Sequence, residues 1–307
     1  MIICCGEALI DMLLRESTAG EPSFAPYAGG AVFNSAIALG RLGIPTEFFS
    51  GLSSDLFGQQ IREVLASSNV GSRYAGISAR PTTLAFVRLT DGHASYTFYD
   101  ENTAGRMLTE ADLPAFDSDV DGMLFGAISL IPEPCGSAYE ALMRREHGLR
   151  VTMLDPNIRP GFIQDKDKHL ARMRRMIAMA DIVKLSDDDL SWFGEAGSQA
   201  NIAASWLGRG PKLVIITGGS KGATGYSRNH KVSVASQRIE VVDTVGAGDT
   251  FNAGVLASLH DQALLSKAAI DTLSETAIHQ ALSLGAKAAA VTVSRAGANP
   301  PWRREIA

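Results

Sequence analysis

The feature that most constrains this chain is a series of short apolar runs, at residues 2–5, 47–50, 123–125, 151–154, 182–184 and 213–216, most of which lack a polar face. A strand that alternates apolar and polar residues can keep one side in water. Runs such as Leu213-Val214-Ile215-Ile216 cannot, so they belong in a parallel sheet covered on both faces. Between them the apolar spacing turns helical, at 31–42, 59–67, 137–145, 168–179, 187–193 and 201–207. Strand and helix in alternation predict a doubly wound α/β domain.

Two stretches break the alternation: residues 9–15 with a Gly- and Pro-bearing sequel to Tyr27, and residues 82–89 followed by 94–99. The second pair is joined through Thr90-Asp91-Gly92-His93, where Asp-Gly favours a hairpin. These strands read as a small β appendage, residues 11–27 and 82–100, on a core formed by 1–10, 28–81 and 101–307. It is either a lid that keeps water from a bound substrate or an edge hairpin that only extends the sheet. Exposed lid strands would also offer a pairing edge to a second copy, so a homodimer stays open. There is no internal repeat and no low-complexity segment.

With 307 residues, 46% of them hydrophobic and 20% charged, the chain can bury one sizeable core without a disordered tract. A net charge of −5 argues against a nucleic-acid partner, which needs clustered basic surface. Arg172, Arg174 and Arg175 share a helical pattern with Met173 and Met176 and read as a solvated helix face. Cys4, Cys5 and Cys135 form an odd set without metal-ligand spacing, as expected for reduced cytosolic thiols. Glu7 interrupts the N-terminus before a signal-peptide apolar region forms, and no apolar run approaches the roughly 20 residues of a membrane span. The expectation is a soluble, cytoplasmic protein with no membrane partner.

The chemistry-bearing residues begin with Gly246-Ala247-Gly248-Asp249. Residues 239–242 are strand-like, and 250–260 have helical spacing with apolar Phe251, Val255, Leu256 and Leu259. The glycines therefore sit where a loop enters a helix N-terminus, and there backbone N–H groups and the helix dipole suit an anion. Asp249 either caps that helix or accepts the proton of a substrate hydroxyl beside the bound anion. Gly29-Gly30 opens the helix at 31–42 as a plain turn or as part of a site, and Asn34 carries an amide suited to the vicinal hydroxyls of a sugar. Asp11 is a second hydroxyl acceptor or a solvated strand-end carboxylate. Residues 213–222 run from an apolar strand into a glycine-rich loop that matches neither Gly-x-Gly-x-x-Gly nor the Walker pattern. A P-loop enzyme or a Rossmann oxidoreductase is thus not indicated, although a nucleotide can still lie at the carboxyl ends of such strands. The six His are scattered and form no recognisable catalytic motif.

Taken together, Gly29-Gly30-Ala31-Val32-Phe33-Asn34 with Leu39-Gly40-Arg41-Leu42-Gly43, and the stretch from Asp243 to Gly254, resemble the two signatures of the ribokinase-like (PfkB) carbohydrate kinases. The similarity runs through the whole chain, including Gly6-Glu7, Gly51 with Asp55 and Gly58, and Arg295-Ala296-Gly297-Ala298. It implies a three-layer α/β/α core with a mainly parallel sheet and a small β lid. It also implies ATP and Mg²⁺, and a monovalent cation such as K⁺ near Asp243 and the loop around Gly297. The resemblance makes Asp249 the base, with Gly246, Ala247 and Gly248 as the anion hole and Arg159 of Asp155-Pro156-Asn157-Ile158-Arg159 near the transferring phosphate. It places Asp11, Gly29, Gly30, Asn34 and Tyr99 at the sugar. ATP would be met by Lys184, Thr217, Gly219, Gly222, Gly246, Gly248 and Asn252. Where many members carry Asn-x-x-Glu, this chain has Ser186-Asp187-Asp188-Asp189, which leaves Asp189 as the candidate for Mg²⁺.

Residues 126–134 and Phe98-Tyr99-Asp100-Glu101-Asn102-Thr103-Ala104-Gly105-Arg106 are most similar to fructokinase-like members. The nearest competitor, a 2-keto-3-deoxygluconate kinase, binds a carboxylate and would want a cation after Tyr99, where this chain has Asp100. A neutral ketohexose, fructose first, is the expected substrate. A non-catalytic sugar or nucleotide sensor on the same fold is the alternative from a different class.

Overall fold

The computed structural model describes residues 1–90 and 93–306. Its centre is a nine-stranded sheet in the order β15-β14-β13-β12-β11-β10-β1-β4-β6. The parallel part comprises β1 (Ile2–Cys5), β4 (Thr46–Phe49), β6 (Val70–Gly71), β10 (Gly122–Gly126), β11 (Val151–Asp155), β12 (Ile182–Ser186) and β13 (Leu213–Thr217). Antiparallel β14 (Ala223–Tyr226) and β15 (Lys231–Val234) extend one edge.

Successive strand residues point to opposite faces, and the two cores divide accordingly. Ile2, Cys4 and Met153 pack with α1 (Ala31–Arg41), α2 (Leu56–Ser67), α7 (Ala247–Asp261) and α9 (Glu275–Val293). Ile3, Cys5 and Leu154 pack with α3 (Cys135–Glu146), α4 (Lys166–Met179), α5 (Asp187–Trp192) and α6 (Gln199–Leu207). The architecture is therefore α/β/α. Four-residue α8 (Lys267–Ile270) leads into α9, which crosses α7 where Gly254 meets Gly285 backbone to backbone.

A separate four-stranded sheet, β3-β2-β8-β9, is built from β2 (Leu9–Glu16), β3 (Pro22–Gly29), β8 (Leu84–Thr90) and β9 (His93–Tyr99). β8 and β9 pair antiparallel as a hairpin, and its expected Asp91-Gly92 turn lies outside the described residues. A third sheet is the short pair β5 (Gly51–Ser53) and β7 (Gly76–Ser78).

Three sequence expectations need correction. Helices α2, α4 and α6 begin two or three residues earlier than apolar spacing indicates, because cap side chains rather than core contacts fix their first turns. Asp55 accepts from Gly58 N at 2.8 Å, Asp165 from Lys168 N at 2.9 Å and Ser198 from Asn201 N at 3.3 Å. Residues 239–242 form no strand; Ile239, Val241 and Val242 are exposed, and Val242 N is tied to Val293 O at 2.8 Å. Arg172 is not on a solvated face. It is buried and donates to Glu140 at 3.3 Å, Leu130 O at 2.8 Å and Glu133 at 2.5 Å. Arg175 joins the same cluster through Glu140, and this ion pairing holds the Glu140 carboxyl below its usual range. Among the described residues no helix is long and apolar enough to cross a membrane.

Candidate active site

The order of strands about β1 reverses the direction of chain travel, since β4 lies on one side of it and β10 on the other. Such a switch point opens a crevice at the carboxyl ends of the strands. The polar residues of this molecule converge there, beneath the N-termini of α1 and α7.

Gly246 precedes α7 with φ 77°, ψ 1°, a left-handed conformation that side chains rarely adopt. A Cβ there would also stand 2.7 Å from the Ala298 methyl carbon. Ala247 N donates to Thr244 O at 3.3 Å and Thr250 N to Gly246 O at 2.8 Å, while the N–H groups of Gly248 and Asp249 between them lie in the first turn, where the helix supplies no acceptor. Asp249 sits in this first turn, 8% exposed. Its Oδ2 accepts from Asn34 Nδ2 at 2.9 Å, and its backbone carbonyl accepts from Ser35 Oγ at 3.1 Å. Two segments 215 positions apart, the Gly29-Gly30 element and the Gly246–Gly248 turn, thereby meet at one carboxylate. Burial, reinforced by the neighbouring Asp155 and Glu7 charges, pushes Asp249 up to about 7, against the pull of Asn34 and Lys184. A carboxylate tuned in this way takes up and gives up protons near neutrality.

Gly30 caps α1 at φ 114°, where a Cβ would come 2.8 Å from Glu7 O. Gly29 lies directly against the Asp11 carboxylate. Burial raises Asp11 to about 6, so it too can accept a hydroxyl proton or hydrogen bond near neutral pH.

Beneath α7, Asp155 at the end of β11 accepts from Lys184 Nζ at 3.0 Å and Asn252 Nδ2 at 2.7 Å. Lys184 is 5% exposed and Asn252 2%, and both hold Asp155 from within the fold. Asp189 is similarly enclosed. Its Oδ1 accepts from Ile158 N at 2.8 Å, and its Oδ2 accepts from Ser186 N at 3.1 Å and Ser186 Oγ at 2.8 Å. Through Ile158 it braces the loop carrying Arg159. Asp243 Oδ1 accepts from Val245 N at 3.0 Å and its Oδ2 from Gly297 N at 2.9 Å.

The remaining expected residues are spread out. Arg159 is exposed, its guanidinium on Ile158 O at 3.0 Å. Thr217 ends β13 beside Ser186, and Gly219 borders open space in the following loop. Gly222 is required by the approach of the Val234 carbonyl. Tyr99 is 60% exposed at the end of β9, with its ring edge-on to Phe86. A cleft of about 490 Å³ runs from Glu7 and Ser129 past Phe98, Asp100 and Arg106. Asp100 there pairs with Arg106 at 2.9 Å. Its charge is compensated, which removes the expected repulsion of an acid sugar.

Two residues of the site went unassigned from sequence, Glu7 and Asp155. Each is a lone acid at the end of an apolar strand. Glu7 Oε1 accepts from Ala31 N at 2.8 Å and Val32 N at 3.3 Å, and Oε2 from Ser129 N at 3.2 Å. The available signal was position alone, since the carboxyl end of a parallel strand is where such groups converge.

Residues 1–304 match the family described as pfkB family carbohydrate kinase. A fructokinase of Rhizobium leguminosarum bv. trifolii is 59% identical over 278 residues, covering 91% of this chain and 85% of that protein. The crystal structure of fructokinase with bound ATP from Xylella fastidiosa superposes with a TM-score of 0.87 at 29% identity, over 97% of this chain and 93% of that one. A fructokinase from Vibrio cholerae O395, in a fructose, ADP and calcium ion bound form, has a TM-score of 0.83 at 25% identity, over 97% and 94% of the two chains.

Proposed function

The chain belongs to the pfkB family of carbohydrate kinases, and we propose that it is a fructokinase that transfers the γ-phosphoryl group of ATP to a hydroxyl of fructose, with Asp249 as the base. The observation that carries the chemistry is the Asp249 carboxylate at the open head of α7, bonded to Asn34 at 2.9 Å and poised near neutral pH. It accepts the hydroxyl proton as the sugar oxygen bonds to the γ-phosphorus. The bond from that phosphorus to the β–γ bridging oxygen breaks, and ADP leaves. First-turn N–H groups of α7 and the helix dipole meet the charge on the transferred group.

In this reading Asp11, Gly29, Gly30, Asn34 and Tyr99 face the sugar, and the four-stranded sheet closes over it. Thr217, Gly219 and Gly222 lie along the nucleotide, with Gly246 and Gly248 at its phosphates and Arg159 reaching in from the loop after β11. Magnesium enters with ATP as the Mg–ATP co-substrate. Among the described residues no three His, Cys, Asp or Glu converge to hold a metal ion. A potassium ion beside Asp243 rests on the resemblance alone.

Fructose as substrate is supported by the fructokinases described above, one similar in sequence and two in structure. One observation favours a second reading. Arg106 lies in the cleft, where among the described residues Asp100 is its one paired carboxylate, so an acid sugar such as 2-keto-3-deoxygluconate is the runner-up.

ADP release from Mg–ATP with a sugar panel decides between them, with fructose expected to give the highest kcat/KM. A higher value for the acid sugar would reassign the substrate, and sugar binding without turnover on any sugar would indicate a sensor. Replacing Asp100 with Asn should raise relative use of the acid sugar about fivefold, the scale of one partly exposed ion pair. An unchanged preference would retire Arg106 as a selector.

A further inference from the structure

The transfer step described above leaves the buried ammonium of Lys184 unused. Lys184, near the end of β12, points its ammonium between Asp155, at 3.0 Å, and the turn at the head of α7. A Cβ built on Gly248 would come 3.0 Å from this nitrogen, so the ammonium touches the anion-binding turn from below. Asn252 Nδ2 donates to the same oxygen, Asp155 Oδ2, at 2.7 Å, while Asp155 Oδ1 accepts from Asn157 N at 3.1 Å, and Asn252 Oδ1 is buried without a partner. The network is thus closed off from solvent.

Burying an ammonium needs a counter-ion, and Asp155 supplies one. Pairing alone does not explain why the lysine lies against Gly248 rather than elsewhere along the two strands. We infer that Lys184 is a positioning residue for the base: clamped by Asp155, its ammonium supports the Gly248 turn from beneath and fixes the charge balance around Asp249. This replaces the expectation that Lys184 binds ATP directly, and it rests on the proposed role of Asp249.

The charges that act most on Asp249 are the acids Asp155 and Glu7 and the cation Lys184, with Asn34 as a neutral donor. Lys184 in turn faces Asp155, Asp189 and Asp249. Burial alone would lower its proton affinity, but attraction to these three carboxylates outweighs that and holds it above the ordinary lysine value. It is therefore charged at every working pH and offsets the acids that would otherwise protonate Asp249. An ammonium below the turn also adds positive potential where the transferred phosphoryl group rests.

The test is the pH dependence of kcat/KM for the sugar in three variants, Lys184→Met, Asp155→Asn and the double. In Lys184→Met the acid limb should move up by about one pH unit, with the KM for ATP within about twofold of the parent. In Asp155→Asn it should move down by a similar amount, because a repelling carboxylate is gone and Lys184 is left to act on Asp249. The double variant should return close to the parent. If Lys184→Met does not fold, Asp155→Asn and the double, whose neutral pair leaves no buried charge unmatched, still carry the comparison. A limb that stays put in the folded variants, or a KM for ATP raised tenfold without a limb shift, overturns the inference. Asp249→Asn separates the two levels. Near-normal turnover there defeats the base assignment itself, whereas an inactive variant together with unmoved limbs defeats only the role of Lys184.

Discussion

Two helices aim their N-termini into the same site, and the chain treats them differently. The head of α1 is filled by the protein itself, with Glu7 accepting from the N–H groups of Ala31 and Val32 at 2.8 and 3.3 Å. Among the described residues no such carboxylate lies across the head of α7. Gly246 forms its left-handed entry, Thr244 O takes only the Ala247 N–H at 3.3 Å, and Asp249 is bonded to Asn34. Both heads carry the same partial positive charge. A head that only has to hold the fold is satisfied from within, while one left unfilled is free for a ligand anion, here the phosphoryl group of the proposed reaction.

The largest effect expected from this difference is in Asp249→Asn. Its kcat should fall by about 10²-fold or more, the scale of a general base, while ATP binding by calorimetry stays within a few-fold of the parent. Near-normal turnover would leave the two heads chemically equivalent. Asn34→Ala comes next, because Asn34 bridges the heads. Losing its donated hydrogen bond should cost about tenfold in kcat and raise the proton affinity of Asp249 further. An unchanged acid limb in that variant would show that the bond does not govern ionisation. Smallest is Glu7→Gln, which keeps an acceptor at the head of α1 and loses only charge assistance. A change of about threefold or less in kcat, with a loss of about 1 kcal/mol in unfolding free energy, is expected. A loss of activity matching Asp249→Asn would erase the distinction.

Much of the core is legible in the sequence because strands covered on both faces have no polar side, as in β11 and β13. The anion turn is legible for a related reason, since glycines before an amphipathic run can only be placed at a helix head. What sequence hides are groups whose meaning depends on a distant partner. Asp100 reads as a lone acid until Arg106 is folded against it at 2.9 Å, and Arg172 reads as a surface cation until Glu133 and Glu140 enclose it. Glu7 and Asp155 were indistinguishable from solvated strand-end acids for the same reason. The starts of α2, α4 and α6 were misjudged because a polar cap, not an apolar contact, fixes the first turn; α3 also starts two residues early, at Cys135, without a side-chain cap. Residues 239–242 show the converse, an apolar run that finds no sheet partner and stays exposed.

The central claim, that Asp249 is the base and is poised by its burial, is tested most directly by the pH profile of kcat/KM for fructose. Asp249 must be ionised to accept a proton, and its environment raises its proton affinity to about 7. The ionised fraction therefore falls tenfold for each pH unit below that value. A plateau above neutrality with a unit-slope decline beginning near pH 7 is expected. A profile that stays flat to pH 5, with the fall only near the ordinary carboxylate value of about 4, would contradict it.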